Sequence, residues 1–177
     1  MTKVVIINGV PGSGKDTFVD LCNRYAQNIS SYNVYNIHTS DLAKKALRIL
    51  GYTDEDKGLP VVRHLLSQMI SVSEQIWNTS LRYLEKVLGS IHEDGETKNT
   101  LFIHCREPEN IEKFKTRFNA VTLLIDRKVP LLETENLSDK ISTIYKTRYD
   151  KYIHNQGKID ALQIEAIIFM KTLWEVS

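Results

Sequence analysis

A glycine-rich turn near the amino terminus constrains this chain more than any other feature. Residues 9–17 read Gly-Val-Pro-Gly-Ser-Gly-Lys-Asp-Thr, after the apolar run 4–7 and before apolar residues at helical spacing over 18–26. The glycines allow consecutive backbone N–H groups to point into a concave turn, and the helix adds the positive end of its dipole. An apolar strand, such a turn and a helix together predict a loop that binds phosphate groups.

The spacing within this loop indicates a nucleoside triphosphate as the ligand. Gly9 through Gly14-Lys15 fits G-x-x-x-x-G-K, the Walker A pattern, in which the lysine reaches the outer phosphates. Asp16 replaces the hydroxyl residue that usually follows the lysine and holds Mg²⁺, and Thr17 comes one place later. We therefore expect Asp16 and Thr17 to face the metal. The residues expected to bind the nucleotide are Gly9, Gly12, Ser13, Gly14, Lys15, Asp16 and Thr17.

The bulk composition predicts a single domain in a reducing compartment. The chain has 177 residues, of which 42% are hydrophobic, and a formal net charge of +1. That charge provides no broad field for nucleic acid or an anionic membrane. The two cysteines, Cys22 and Cys105, lie in apolar patterns typical of buried thiols. Because no signal peptide or membrane-length apolar run is visible, we expect a cytoplasmic protein without nucleic-acid or membrane partners.

Apolar runs alternate with helical patterns along the rest of the chain. Beyond the first strand, strands are predicted at 33–38, 101–104, 120–125 and 151–154. Ser71 and Glu74 have the spacing of a capping box, which predicts a helix break within the long helical region before residue 92. The predicted order is β-α-β-α-α-α-β-α-β-lid-β-α. This alternation predicts an α/β domain whose parallel sheet is covered on both faces, with the glycine-rich loop at the carboxyl edge of the strands.

With these motifs the chain resembles the P-loop nucleoside and deoxynucleoside monophosphate kinases, especially the phage and bacterial deoxynucleoside monophosphate kinases. The pattern G-x-P-G-S-G-K-x-T is similar to that family's loop, and 149–162 is similar to its final strand, turn and helix. The resemblance implies a three-layer α/β/α fold with a five-stranded parallel sheet, in a single domain over 1–177. It implies a core of about 1–40, 100–126 and 149–177, a helical acceptor-binding insertion of about 41–99 and a short lid of about 127–148.

The resemblance also implies candidate residues for the acceptor and for catalysis. Ser40-Asp41-Leu42-Ala43-Lys44 is similar to the family's Gly-Asp-Leu-Leu-Arg, whose last residue grips the acceptor phosphate. Arg63 resembles an arginine of the insertion, Arg106 the arginine after the third strand, and Arg127 the start of the lid arginines. Asp41, Lys44, Arg63 and Arg106 are therefore expected to bind the acceptor. Lys15, Arg106 and Arg127 are expected to act in catalysis.

One position departs from the family pattern in a way that affects the metal. His104 stands where the family has an aspartate that orients hydrated Mg²⁺. A neutral imidazole does not attract a hard cation as a carboxylate does. Either Asp16, Glu107 or Asp126 substitutes for the missing carboxylate, or Mg²⁺ is held mainly by the nucleotide.

The resemblance implies an ATP-dependent transferase that moves the γ-phosphoryl group to a nucleoside or deoxynucleoside monophosphate, with ATP and Mg²⁺ as cofactors. Because a phosphate monoester is already anionic, such transfer needs positioned cations rather than a general base. Arg148 and Lys140 add charges in the predicted lid. Two alternatives stay open: a kinase of another small phosphorylated metabolite, of the phosphomevalonate or dephospho-coenzyme A type, or a nucleotide-binding module without transfer activity. The sequence leaves the acceptor and the oligomeric state open.

Overall fold

A computed structural model describes residues 1–29, 31–53, 55–56, 59–91, 95–127 and 148–175 of the chain. Five strands and six helices lie within these ranges. In chain order they are β1 (Thr2–Asn8), α1 (Lys15–Gln27), β2 (Tyr32–His38), α2 (Asp41–Ile49), α3 (Pro60–Trp77), α4 (Thr79–Ser90), β3 (Lys98–His104), α5 (Pro108–Phe118), β4 (Val121–Asp126), β5 (Lys151–His154) and α6 (Ile159–Glu175). Nearly all of the predicted lid, including a helical piece predicted near 141–145, lies outside the described residues.

The strands form one five-stranded parallel sheet in the order β2-β3-β1-β4-β5, with β1 at its centre. Residues 4–8 of β1, 99–104 of β3 and 122–125 of β4 are buried, as expected for parallel strands covered on both faces. The α/β fold predicted from the alternating pattern is therefore confirmed. In the register of β1 with its neighbours, Ile7 lies beside His104 and Asn8 beside Leu124. The carboxyl ends of these three strands meet at the edge from which the glycine-rich loop departs.

One hydrophobic core joins the sheet to helices α1 and α6. Phe18 on α1 lies edge-on to both Phe102 on β3 and Phe169 on α6, with ring centroids 6.4 and 5.6 Å apart. Burial in this core raises the pKa of the Cys22 thiol, so that Cys22 stays protonated and unreactive. This packing fixes α1 against the sheet, and the loop before α1 is thereby held at the sheet edge. Among the described helices, none combines the length and apolar character needed to cross a membrane.

The described chain separates into two compact units, one of residues 1–37 and 93–177 and one of residues 38–92. The first contains the sheet except for the last residue of β2, together with helices α1, α5 and α6. The second contains α2, α3 and α4. The role in acceptor binding expected for 41–99 stays a prediction.

The helix break expected at Ser71 is wrong. Helix α3 runs without interruption from Pro60 to Trp77 and ends at Asn78, whose φ and ψ are both 48°. Asparagine tolerates this left-handed conformation better than most residues. The Glu74 carboxylate accepts a hydrogen bond from the Ser80 N–H at 2.8 Å. Glu74 therefore caps the start of α4 rather than forming a box with Ser71.

Helix α3, every residue of which is described, contains no buried side chain. Its half-buried face carries Val62, Met69 and Ile70. A neighbouring stripe at Val61, Leu65, Val72 and Ile76 is 44–71% exposed. Packing on one half-buried face therefore supports this helix.

Candidate phosphate-binding site

Three glycines give the loop between β1 and α1 its shape. The backbone φ values of Gly9, Gly12 and Gly14 are 151°, 77° and 95°, a range that residues other than glycine rarely adopt. A Cβ on Gly9 would overlap the carbonyl oxygen of Ile125, and one on Gly14 would overlap the side-chain amide of Asn155. The loop therefore requires glycine at both positions, for its backbone conformation and for the close approach of neighbouring segments.

Lys15 closes the loop from inside. Its side chain is buried, and its Nζ donates hydrogen bonds to the carbonyl oxygens of Gly9 at 2.7 Å and Val10 at 3.0 Å. The Ser13 N–H also donates to the Val10 carbonyl, at 3.1 Å. The ammonium group is thus held within the concave turn rather than in bulk solvent. These two acceptors are neutral carbonyls, and a phosphate group in the turn would form a stronger, charge-assisted hydrogen bond with the ammonium.

The start of α1 supplies further donors. Gly14 is the N-cap of α1, and the first N–H groups of a helix have no carbonyl partner within that helix. The Ser13 hydroxyl is fully buried and has no hydrogen-bond partner among the described residues. Asp16 and Thr17 are exposed on the first turn. The predicted loop residues are therefore brought together around one helix N-terminus, where an anion is favoured.

An asparagine at the end of β1 orients the start of the loop. The buried Asn8 side chain accepts a hydrogen bond from the Gly9 N–H at 2.7 Å and donates one to the Tyr149 hydroxyl at 2.8 Å. Tyr149 is itself buried and lies two residues before the first residue of β5. Neither residue is among the site residues predicted from the sequence. A polar residue ending an otherwise apolar strand at the loop edge is the signal that points to Asn8.

A second asparagine, also missed, fastens the far side of the loop. Asn155 directly follows β5, and its Nδ2 donates to the Ser13 carbonyl oxygen at 2.8 Å while its Oδ1 accepts from the Gly157 N–H at 2.9 Å. Its own N–H donates to the carbonyl of Asp126 at 2.8 Å. The turn after β5 is thus tied to both the glycine-rich loop and the end of β4.

Arg127 is the predicted catalytic arginine that the structure places at the loop. Its Nη1 donates to the Gly12 carbonyl oxygen at 3.3 Å, and its guanidinium lies next to Gly157, where an added Cβ would come within 3.1 Å of Nη2. The Arg127 guanidinium, a planar cation with several N–H donors, therefore lies beside the exposed part of the loop at Gly12. This position suits contact with phosphate oxygens.

The side chains near the first turn of α1 fit Mg²⁺ only in part. Asp16 supplies an exposed carboxylate, which suits a hard cation, and Thr17 supplies an exposed hydroxyl. Across the sheet edge, His104 Nε2 lies 3.8 Å from Asp16 Oδ1. Nitrogen is a poor donor for Mg²⁺.

The other two carboxylates considered as substitutes have different partners. Asp126 Oδ2 lies 3.1 Å from His154 Nδ1 at the ends of β4 and β5. Glu107 Oε2 lies 3.8 Å from the sulfur of Cys105.

The remaining predicted residues are divided between the two compact units. Asp41 and Lys44 form an ion pair at 3.4 Å in the unit of residues 38–92, where Asp41 also accepts from the His38 N–H at 2.9 Å. Arg63 is exposed on α3. Arg106 is partly exposed, two residues after β3 ends.

Arg148 lies at the amino end of β5. It lines a shallow pocket with Glu112, Lys115, Tyr149 and Asp150. Strand β5 begins only at Lys151, whereas the glycine-rich loop follows the carboxyl end of β1. Lys140 lies outside the described residues.

No protein-family model matches this chain, and no curated protein matches it. Solved structures similar to it include a Cys556Ala mutant of the APS kinase CysC of Mycobacterium tuberculosis (16% identity, TM-score 0.49, 96% of this chain and 97% of that one). Shikimate kinase from Aquifex aeolicus is another (17%, 0.49, 98% and 99%), as is thymidylate kinase from Ehrlichia chaffeensis (14%, 0.44, 96% and 98%). At these identities and TM-scores the similarity supports no conclusion about substrate.

Proposed function

We propose that this protein is a phosphotransferase that binds ATP in the loop of residues 9–17 and moves its γ-phosphoryl group to a nucleoside or deoxynucleoside monophosphate. The observation that carries the proposal is the enclosed Lys15 ammonium inside a glycine-shaped turn at the N-terminus of α1. Backbone donors, a helix dipole and a buried cation in one concave turn are the chemistry that a polyphosphate requires.

Charge neutralisation explains the cations around the loop. Transfer between two phosphate groups brings polyanions together, and catalysis consists mainly of positioning and electrostatic stabilisation. Lys15 would contact the outer phosphates, and Arg127, over Gly12, would meet oxygens of the group in transfer. Arg106, after β3, would bind the acceptor phosphate, and the resemblance alone keeps Lys44 and Arg63 as candidates for acceptor binding. Mg²⁺ bound with ATP would neutralise further charge on the phosphates.

The acceptor is the least determined part of the proposal. A monophosphate acceptor follows from the resemblance of 40–44 and of Arg106 to the monophosphate kinases. A kinase of another phosphorylated metabolite uses the same donor loop and differs only in the acceptor pocket. The alternative of a binding module without transfer is favoured by one observation, the histidine at position 104 in place of an aspartate.

A panel of acceptors separates these possibilities. The purified protein is incubated with ATP, a divalent cation and each common nucleoside or deoxynucleoside monophosphate, then with other phosphorylated metabolites, and ADP and product are quantified. We expect one or a few monophosphates to stimulate ADP formation. Stimulation by a different metabolite alone would replace the acceptor class, and tight ATP binding without stimulation by any acceptor would favour the binding module.

Two variants assign the residues. Lys15→Met keeps the apolar stem and removes the ammonium, and we expect a loss of transfer on the order of 10³-fold. Lys171→Met, at an exposed position on α6, is the matched control and should retain activity. Arg106→Ala should raise the KM for the acceptor far more than the KM for ATP. Equal increases would contradict an acceptor role.

A further inference from the structure

A carboxylate and an imidazole meet beside the glycine-rich loop. Asp16 lies on the first turn of α1, and His104 is the last residue of β3, in register with Ile7 of β1. Asp16 Oδ1 and His104 Nε2 are 3.8 Å apart. The His104 side chain is only 7% exposed, whereas that of Asp16 is 72% exposed. The imidazole is thus fixed by its surroundings, and the carboxylate is able to adjust.

This pair has a donor set that a transition metal prefers to magnesium. Mg²⁺ takes oxygen ligands in near-ideal octahedral geometry, while imidazole nitrogen suits iron, nickel, copper and zinc. Across the first-row series, affinity for a site containing nitrogen rises from manganese towards copper. A carboxylate opposite an imidazole is therefore poorly matched to the cation that monophosphate kinases are expected to use.

The separation of the two donor atoms is close to what one ion requires. Metal–ligand bonds of about 2.1 Å place two donors about 3.0 Å apart at right angles and about 3.4 Å apart in a tetrahedron. The observed 3.8 Å needs a movement of well under 1 Å. The exposed Asp16 side chain is the one able to make it.

We propose that Asp16 and His104 form a mixed oxygen and nitrogen site for a divalent transition cation, which binds there in preference to Mg²⁺ and next to the nucleotide phosphates. The assignment of the site rests on the 3.8 Å between these two side chains. Its place beside the phosphates rests on the function proposed above. The substitution at position 104 then changes which metal accompanies the nucleotide rather than abolishing the metal.

Co²⁺ is the probe for this site because it has a visible absorption spectrum that changes with nitrogen coordination. The full chain is titrated with Co²⁺ and with Mg²⁺, first alone and then with ADP, by calorimetry and visible absorption. We expect Co²⁺ to bind at least about tenfold tighter than Mg²⁺, with a change in the cobalt absorption bands, and ADP to strengthen the binding.

Three variants test the assignment to named residues. Asp16→Asn changes an exposed side chain and should fold normally, and it should weaken Co²⁺ binding by about tenfold or more. His104→Asp should reverse the preference towards Mg²⁺. His154→Gln is the matched control because it breaks another histidine–aspartate pair, with Asp126, and it should leave Co²⁺ binding unchanged.

The outcomes separate this inference from the proposed function. If ADP binds and Co²⁺ shows no preference over Mg²⁺, or if His154→Gln removes the Co²⁺ signal, the metal inference is overturned and nucleotide binding stands. If Co²⁺ binds through Asp16 and ADP does not bind, the metal site stands and the proposed function fails. Where His104→Asp does not fold, Asp16→Asn is the deciding variant, and unchanged Co²⁺ binding in Asp16→Asn overturns the metal inference.

Discussion

Asn155 is expected to hold the phosphate-binding loop in shape, and its replacement tests how the fold supports the site. In Asn155→Ala the hydrogen bonds to the Ser13 carbonyl and from the Gly157 N–H, at 2.8 and 2.9 Å, are both lost. The bond to Ser13 is buried, so water cannot easily replace it. The loop would lose its connection to the turn after β5.

The expected loss of stability follows from these two bonds. Each typical hydrogen bond contributes about 1 kcal/mol, and a buried carbonyl left without a donor costs about 1 kcal/mol more. Because the Gly157 N–H is only partly buried and can bind water, we expect a total near 2.5 kcal/mol. For a chain of this size that corresponds to a decrease in Tm of about 7 °C.

Urea denaturation followed by circular dichroism measures the stability, and calorimetry measures ADP affinity. The control is Asn28→Ala, which removes one exposed hydrogen bond, from Nδ2 to the Arg24 carbonyl at 2.9 Å. We expect the control to lose less than about 0.5 kcal/mol and to bind ADP normally. If Asn155→Ala matches the control in both measurements, Asn155 does not support the loop and the reasoning is refuted.

Two further predictions concern the loop backbone and the exposed acid Asp150. Gly9→Ala should lower both the stability and the ADP affinity, because the new Cβ would meet the carbonyl oxygen of Ile125 and φ is 151°. The control Gly89→Ala lies on a helix with open space around it and should stabilise the protein by about 0.5 kcal/mol. Equal effects of the two substitutions in denaturation and calorimetry would contradict this prediction. Burial raises the pKa of Asp150, but hydrogen bonds from Lys115 and Thr122 lower it below its ordinary range. The stability that the Asp150 carboxylate contributes should therefore be present at neutral pH and lost as the pH falls through the folded-state pKa. Asp150→Asn should then be less stable than wild type at pH 7 and equal to it in strong acid. Denaturation at both pH values measures this difference.

The sheet and the loop could be predicted because the residues that specify each of them are close together in the sequence. Apolar runs mark β1, β3 and β4, which are buried on both faces, and glycine spacing marks the turn between β1 and α1. The end of α3 could not be predicted in the same way. Its position depends on the left-handed conformation of Asn78 and on Glu74 reaching Ser80, and a capping-box spacing at Ser71 gave a competing signal.

The supports of the candidate site depend on contacts between residues far apart in sequence. Asn155 reaches Ser13 across 142 positions, and Tyr149 reaches Asn8 across 141. Single residues of this kind carry no periodicity, so only the assembled fold brings them together. The nearness of His104 to Asp16 has the same origin, in the parallel register of β1 and β3.

The most direct test of the phosphate-binding loop is a titration of ¹⁵N-labelled protein with ADP, followed by NMR of the backbone amides. We expect the largest and saturable shifts at the N–H groups of residues 12–17, and their loss in Lys15→Met. Saturable shifts confined to other parts of the chain, or no shifts at millimolar ADP, would contradict the claim that these amides and the Lys15 ammonium bind the phosphates.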